Sequence, residues 1–202
     1  AFLISTALGV PFGLFLGWSR VFRDFTFPVF ETLRPIPVLA WVPLAIAMSP
    51  GLETPVIFLT TLASFYAPAL NTMLGVQSID ESYPRAAACL GASKWQIFRH
   101  IIIPGALPFI FTGLQISVGV AWFSLVAAEM VSGEYGLGYL ILASYVNVQY
   151  VVIIIGMISV GIVGYASSAL VRMAGDYMMQ WRVRGLPLGG GRWARRGGRD
   201  GR

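Results

Sequence analysis

The sequence predicts an all-α fold, a polytopic bundle of membrane-spanning helices. Three observations lead there. Of 202 residues, 56% are apolar and only 11% are charged, whereas a soluble domain carries about 25% charged residues to cover its water-facing surface. Mean hydropathy is +0.73, which excludes disorder, because disordered chains combine low hydrophobicity with high charge. The apolar residues also fall in long runs, with the charges gathered between them. Cys89 is the only cysteine and His100 the only histidine. A disulfide framework, a cysteine-based zinc site and a multi-histidine site are therefore excluded, and no metal or cofactor is expected.

A helix needs about 20 apolar residues to cross a bilayer core of ~30 Å. Five stretches qualify or nearly do. Residues 1–18 carry no charge, and ~18 residues span ~27 Å. Residues 36–48 are short and contain Pro37 and Pro43, so a kinked helix is expected there, with a start as early as Phe27. Residues 55–76, 104–128 and 150–171 complete the set. The chain begins with Ala1 inside an apolar run, with no basic residue ahead of it. That is not the pattern of a signal peptide, and the expectation is that a further helix precedes it.

The fourteen basic residues then decide the topology. Arg20, Arg23 and Arg34 lie in segment 19–34. Arg85, Lys94 and Arg99 lie in segment 77–100, and the remaining eight lie from Arg172 onward. The opposite segments, 49–54 and 129–149, hold no Lys or Arg but contain Glu53, Glu129 and Glu134. Basic loops face the cytoplasm. The expectation is thus a multi-pass protein of the cytoplasmic membrane, with a cytoplasmic C-terminus and an external N-terminus. Residues 1–182 form the membrane domain. Residues 183–202, rich in Gly and Arg, are expected to be a disordered basic tail that meets lipid headgroups. No aromatic-basic module accompanies the tail, so nucleic acid is not a partner.

The segment 78–104 does not read as a plain loop. Ser78 and Glu81 fit a capping box. Pro84 suits a helix start, and Gly91 a helix end. Ser93 can cap a second helix over 94–103, which the sequence predicts to stop at Pro104. Two short helices joined by Gly91-Ala92-Ser93 result. Trp95, Ile97 and Phe98 give the second one apolar surface, and Lys94 and Arg99 give it charge.

This segment resembles the EAA loop of ATP-binding-cassette importer permeases. That motif has Glu-Ala-Ala, a glycine four residues on, and an Ile-x-Leu-Pro ending after nine more. Here Arg85-Ala86-Ala87, Gly91, and Ile101 with Ile103-Pro104 stand at those spacings. Arg85 replaces the glutamate and Ile103 replaces the leucine. The text around it is similar to the nitrate/sulfonate/taurine/bicarbonate branch, as are Leu33-Arg34-Pro35-Ile36-Pro37, Leu39-Ala40-Trp41-Val42-Pro43-Leu44 and Gly136-Leu137-Gly138-Tyr139. The resemblance implies a type I importer permease with six spans, five of them present here. It implies a second permease subunit, expected as a homodimer, cytoplasmic ATP-binding subunits and an extracytoplasmic solute-binding protein. Segment 78–104 becomes the ATPase-coupling loop, with Arg85, Ala86, Ala87, Gly91, Ala92, Ser93, Ile101 and Pro104 as its motif residues. The substrate implied is a small solute such as nitrate, a sulfonate or bicarbonate.

Polar or aromatic residues within spans must face protein or water. Trp41, Asn71, Gln115, Trp122 and Ser124 are the candidates for lining a pathway, with helix packing as the alternative role. The glycines Gly9, Gly13 and Gly17 share one helix face and are expected to pack on another span. No Gly-x-x-x-x-Gly-Lys-Ser/Thr occurs, so ATP hydrolysis is assigned to another chain and this one is not an enzyme. A membrane-embedded enzyme would need clustered acid-base or nucleophilic groups. A secondary transporter would show intramembrane ion-coupling charges and internal repeats; it stands as the alternative without an ATPase partner.

Overall fold

A computed structural model of the chain describes residues 1–48, 51, 53–132 and 135–179. The described residues are almost wholly helical and include no strand. In order they form α1 (Phe2–Trp18), α2 (Arg20–Leu33), a 3-10 turn (Val38–Trp41) leading into α3 (Val42–Met48), α4 (Glu53–Gln77), α5 (Ser82–Cys89), α6 (Lys94–Ile97), a π-helical turn (Phe98–Ile102), α7 (Ile103–Ser132), α8 (Leu137–Val146) and α9 (Tyr150–Met178). The expected tail at 183–202, and Glu134, lie outside the described residues.

Among the described residues, three helices are long and apolar enough to cross a membrane: Glu53–Gln77, Lys94–Val131 and Tyr150–Met178. The pair Arg20–Leu33 and Val38–Met48, bent by 90°, makes a fourth if taken as one span, and α1 is a shorter apolar helix of 17 residues. These five correspond in order to the five predicted spans.

Helix α4 is the centre, with α1 on one side and α7 on the other. The small-residue face of α1 makes the first contact close: Gly9 lies on Phe65 and Pro68, Gly13 on Ala69 and Thr72, and Gly17 on Val76. On the other side, a proline in α4 sets up a specific bond. Pro68 has no N–H, so the carbonyl of Ser64 one turn earlier loses its helical donor. The hydroxyl of Ser117 in α7 donates to that carbonyl at 2.8 Å. Ser124, one α7 stretch further on, donates to the carbonyl of Leu59 at 3.4 Å. Where no water competes, such bonds between helices fix their register. Among the described residues helix α9 packs mainly on α7 and α8, and only 6% of its apolar window is buried within the chain.

Three elements differ from the sequence reading. Segment 19–34 is a helix rather than a loop. Ser19 caps it by accepting the N–H of Phe22 at 3.3 Å, and Phe22 and Phe30 pack on Phe12 of α1. An amphipathic helix with charges on its outer face has a low average hydropathy, which hides it from a search for uniform apolar runs. The second span therefore starts at Arg20 and is broken at 34–37, where Pro35 and Pro37 push the residues before them out of the α region. The helix over 94–103 does not stop at Pro104. The N–H of Ile103 bonds the carbonyl of Phe98, five residues back. This wider turn relieves the clash between the Pro104 ring and the preceding turn, so the helix runs on. Finally, segment 129–149 contains α8, which at 10 residues is too short to cross.

Candidate functional site

The segment between α4 and α7 is a built, largely exposed structure. The Ser78 hydroxyl donates to the Gly75 carbonyl and closes α4, so the expected Ser78–Glu81 capping box does not form. Asp80 takes that part instead. Its carboxylate accepts the N–H of Ser82 at 2.8 Å, and this bond, with the Ser82 hydroxyl and the charge of Arg85, holds the Asp80 carboxyl below its usual range. Glu81 is paired with Arg85 one turn later and reaches Arg20 of α2 at 3.9 Å. The arginine at the motif's glutamate position is thus matched by an acid at the start of its own helix. Ala86 is exposed, while Ala87 packs inward.

The turn is made by Gly91 at φ +85°, a left-handed conformation that side chains disfavour. The N–H groups of Gly91 and Ala92 close α5 on Ala88 and Ala87. Ser93 then opens α6 as expected, in a full capping box with Gln96: Ser93 Oγ accepts from the Gln96 N–H, and Gln96 Oε1 accepts from the Ser93 N–H. His100 Nδ1 lies 3.0 Å from the Gln96 carbonyl, and Cys89 is exposed.

The two helices present one face outward and rest the other on the spans. Outward lies an open groove of about 420 Å³ lined by Ala87, Gly91, Ala92, Gln96, His100 and Ile101 among others. Leu90 is 90% and Trp95 66% exposed beside it. Inward, Ile97 and Ile102 are buried with Val76 of α4 and Ala106 and Ile110 of α7. Phe98 stacks on Trp95 and meets Trp18 at the end of α1 edge-on, at 5.4 Å between centroids. Pro104 is exposed at the junction with α7.

Further cavities open among the described residues, and two of them border the pathway candidates. One, of about 380 Å³, lies among Phe2, Val56, Thr60, Trp122, Leu125 and Ser167, and the Trp122 indole N–H donates to the Ser167 hydroxyl at 2.7 Å. The other, of about 240 Å³, sits at the break between α2 and α3, bordered by Arg34, Trp41, Leu62, Tyr66, Val120 and Phe123. At the far end of α7, the Glu129 carboxylate accepts the N–H of Gly138 at 2.8 Å and caps α8. Gly136, at φ +118°, lies against that carboxylate.

Residues 9–184 match the family described as the binding-protein-dependent transport system inner membrane component. The chain belongs to that family. It is 36% identical over 183 residues to a probable ABC transporter permease protein of Brucella abortus, covering 91% of this chain and 73% of that one. It is 38% identical over 163 residues to a nitrate import permease protein of Synechocystis, covering 81% and 59%. With a taurine transport system permease protein of Escherichia coli the identity is 36% over 165 residues, covering 82% and 60%. The chain is a multi-pass membrane permease of the ATP-binding-cassette type.

In the permease, the eight loop residues singled out from the sequence share one surface unit. The five pathway candidates do not share one place. Trp41 borders the cavity at the break, and Trp122 the other one. Ser124 is fully buried against α4. The Asn71 amide donates to the Ala67 carbonyl of its own helix at 2.9 Å, with Gly113 of α7 against its Cβ. Gln115 is exposed on α7. Sequence reasoning gave no site role to Arg34. The available signal was an arginine set directly against two prolines inside an otherwise apolar stretch.

Proposed function

We propose that the permease imports a small anion or sulfonate-bearing solute, with ATP hydrolysed by separate cytoplasmic subunits that dock on the α5–Gly91–α6 unit. One observation carries the reading: this unit is exposed and grooved on one face and packed on α1, α4 and α7 on the other. A subunit pushing on it moves the spans as a body, which is how a local event becomes a change of access. Arg85, Ala86, Ala87, Gly91, Ala92, Ser93, Ile101 and Pro104 form the docking and hinge surface. The C-terminus and this loop face the cytoplasm, which the distribution of basic residues supports. A solute-binding protein delivers the substrate from outside, as the family description supports. Two permeases pair, the second being another copy of this chain; the unburied face of α9 leaves room for that. The substrate class follows the relatives named for nitrate and taurine.

The test is purification of tagged permease from its own membranes, followed by reconstitution. A P-loop ATPase in equal amount, and ATP-dependent uptake of nitrate, taurine or bicarbonate into vesicles, are the expected results. A permease that purifies without any ATPase and accumulates these solutes on an ion gradient alone overturns the reading in favour of secondary transport.

A further inference from the structure

The break between α2 and α3 lies at mid-depth of the bundle. Phe30, one turn before Arg34, packs on Phe12 in the middle of α1 and on Phe65 and Tyr66 in the middle of the 25-residue α4. The cavity at the break is bordered by the same Tyr66 and by Val120 and Phe123 from the central turns of α7. Two costly features therefore coincide at one level. Arg34 is exposed, and among the described residues it has no ion pair. Glu31, the nearest acid along α2, is not paired with it. The backbone over 34–37 is irregular, with Pro35 and Pro37 unable to donate. Neither a bare charge nor irregular backbone is tolerated against lipid tails at such depth; both occur where water or protein covers them.

The chemistry of the cavity is one-sided. Among the described residues no acidic one borders it. Arg34, Trp41 and Tyr66 all line it, and among the described residues none of their side-chain donors has a hydrogen-bond partner. A planar guanidinium offers paired donors to the oxygens of a nitrate, carboxylate or sulfonate group. At about 240 Å³ the space falls below the roughly 300 Å³ at which pockets for larger organic ligands begin. In secondary transporters, too, broken helices at the midplane hold the solute.

We propose that this cavity is a water-filled anion station on the translocation path, with Arg34 as its fixed cation and Trp41 and Tyr66 as its neutral donors. The part of the proposal that concerns transport rests on the small-anion reading above; the part that concerns the cavity does not.

The test uses single cysteines at Tyr66 and, separately, Trp41 in a Cys89→Ser chain, in the assembled transporter. Each is treated with an anionic and a cationic methanethiosulfonate of similar size. Both cysteines should react from water. The anionic-to-cationic rate ratio should fall roughly fivefold to tenfold when Arg34→Gln is added, the effect of one charge at short range in a partly screened space. Arg34→Lys should restore most of it. Nitrate, bicarbonate or taurine should slow labelling only while position 34 is cationic. Cysteines inert to both reagents, or a ratio indifferent to Arg34→Gln, overturn the station. Uptake of the same three solutes is measured in parallel. A wild-type transporter that moves none of them, while the labelling ratio still follows position 34, removes the substrate reading and leaves the anion station standing.

Discussion

Gly91 holds its place through backbone geometry alone. Its φ is +85°, and a Cβ built there meets nothing within 4 Å. A side chain is therefore opposed by conformation and by no neighbour, and a β-branched one is strained by roughly 1–3 kcal/mol. Gly91→Val should leave membrane insertion and abundance near normal while weakening ATPase docking and stopping uptake. Gly91→Asn, which tolerates this conformation, should be much milder. Uptake at matched membrane levels decides it, and equal loss in both variants would contradict the backbone argument. Ser117 is the opposite case, a residue that matters for one partner. Ser117→Ala leaves the Ser64 carbonyl without a donor and should lower resistance to unfolding in detergent by about 1 kcal/mol. Pro68→Ala returns an N–H to α4, so in that background Ser117→Ala should cost far less; a strictly additive double mutant would disprove the link. The Gly91 turn and the Ser93 cap were legible in the sequence because turn and cap chemistry is local, although the same chemistry misplaced a capping box at Ser78 and Glu81, where Asp80 caps instead. The Ser117–Ser64 bond was not, because nothing in the sequence says which serine faces which proline on another helix.

At the level of elements, the π-helical turn before Pro104 joins the docking unit to α7. Removing its cause should remove it. In Pro104→Ala the ordinary i→i−4 pattern becomes available, and absorbing the extra residue rotates α6 by about 100° relative to α7. The chain should keep or gain thermal stability and lose ATPase docking, and a variant with normal uptake would show that the register of α6 does not matter. The Asp80 cap gives a pH expectation. Its carboxyl is depressed in the fold, so its contribution is present above the ordinary aspartate range and is lost only as pH falls through the lower, folded value. ATPase co-purification should thus be flat from about pH 8 to about pH 5 as far as this cap is concerned. A midpoint within that window that disappears in Asp80→Asn would show the opposite. The five apolar runs were readable from composition. Helix α2 and α8 were not: α2 hides its apolar residues on one face, and α8 is short and begins on a cap supplied from Glu129, nine residues earlier.

For the whole molecule, orientation is the cheapest question. Cys89 is exposed and is the only cysteine, so the wild-type chain carries its own reporter. An impermeant thiol reagent should label it only after cells are opened, whereas in Cys89→Ser chains Glu53→Cys should be labelled from outside intact cells. The reverse pattern would invert the topology. Arg34 shows where counting charges stopped being informative. It was grouped with the cytoplasmic arginines because it stood beside them in sequence, and the broken span carries it into the bundle.

The unbroken helix Lys94–Val131 has 38 residues, and Ser117 and Ser124 hold it to α4 beyond its midpoint. Because Ala106 and Phe109 also pack on Gly75 of α4, α7 and α4 would tilt together, as one lever about the level of Ser117. From Ser117 the arm towards Lys94 measures about 35 Å and the arm towards Val131 about 21 Å. A sideways push of ~5 Å at the docking unit would then appear at the outer end as a displacement of ~3 Å in the opposite direction. Opening at one surface and closing at the other would follow from where the serines sit along the lever, with no separate signal needed to keep the two in step.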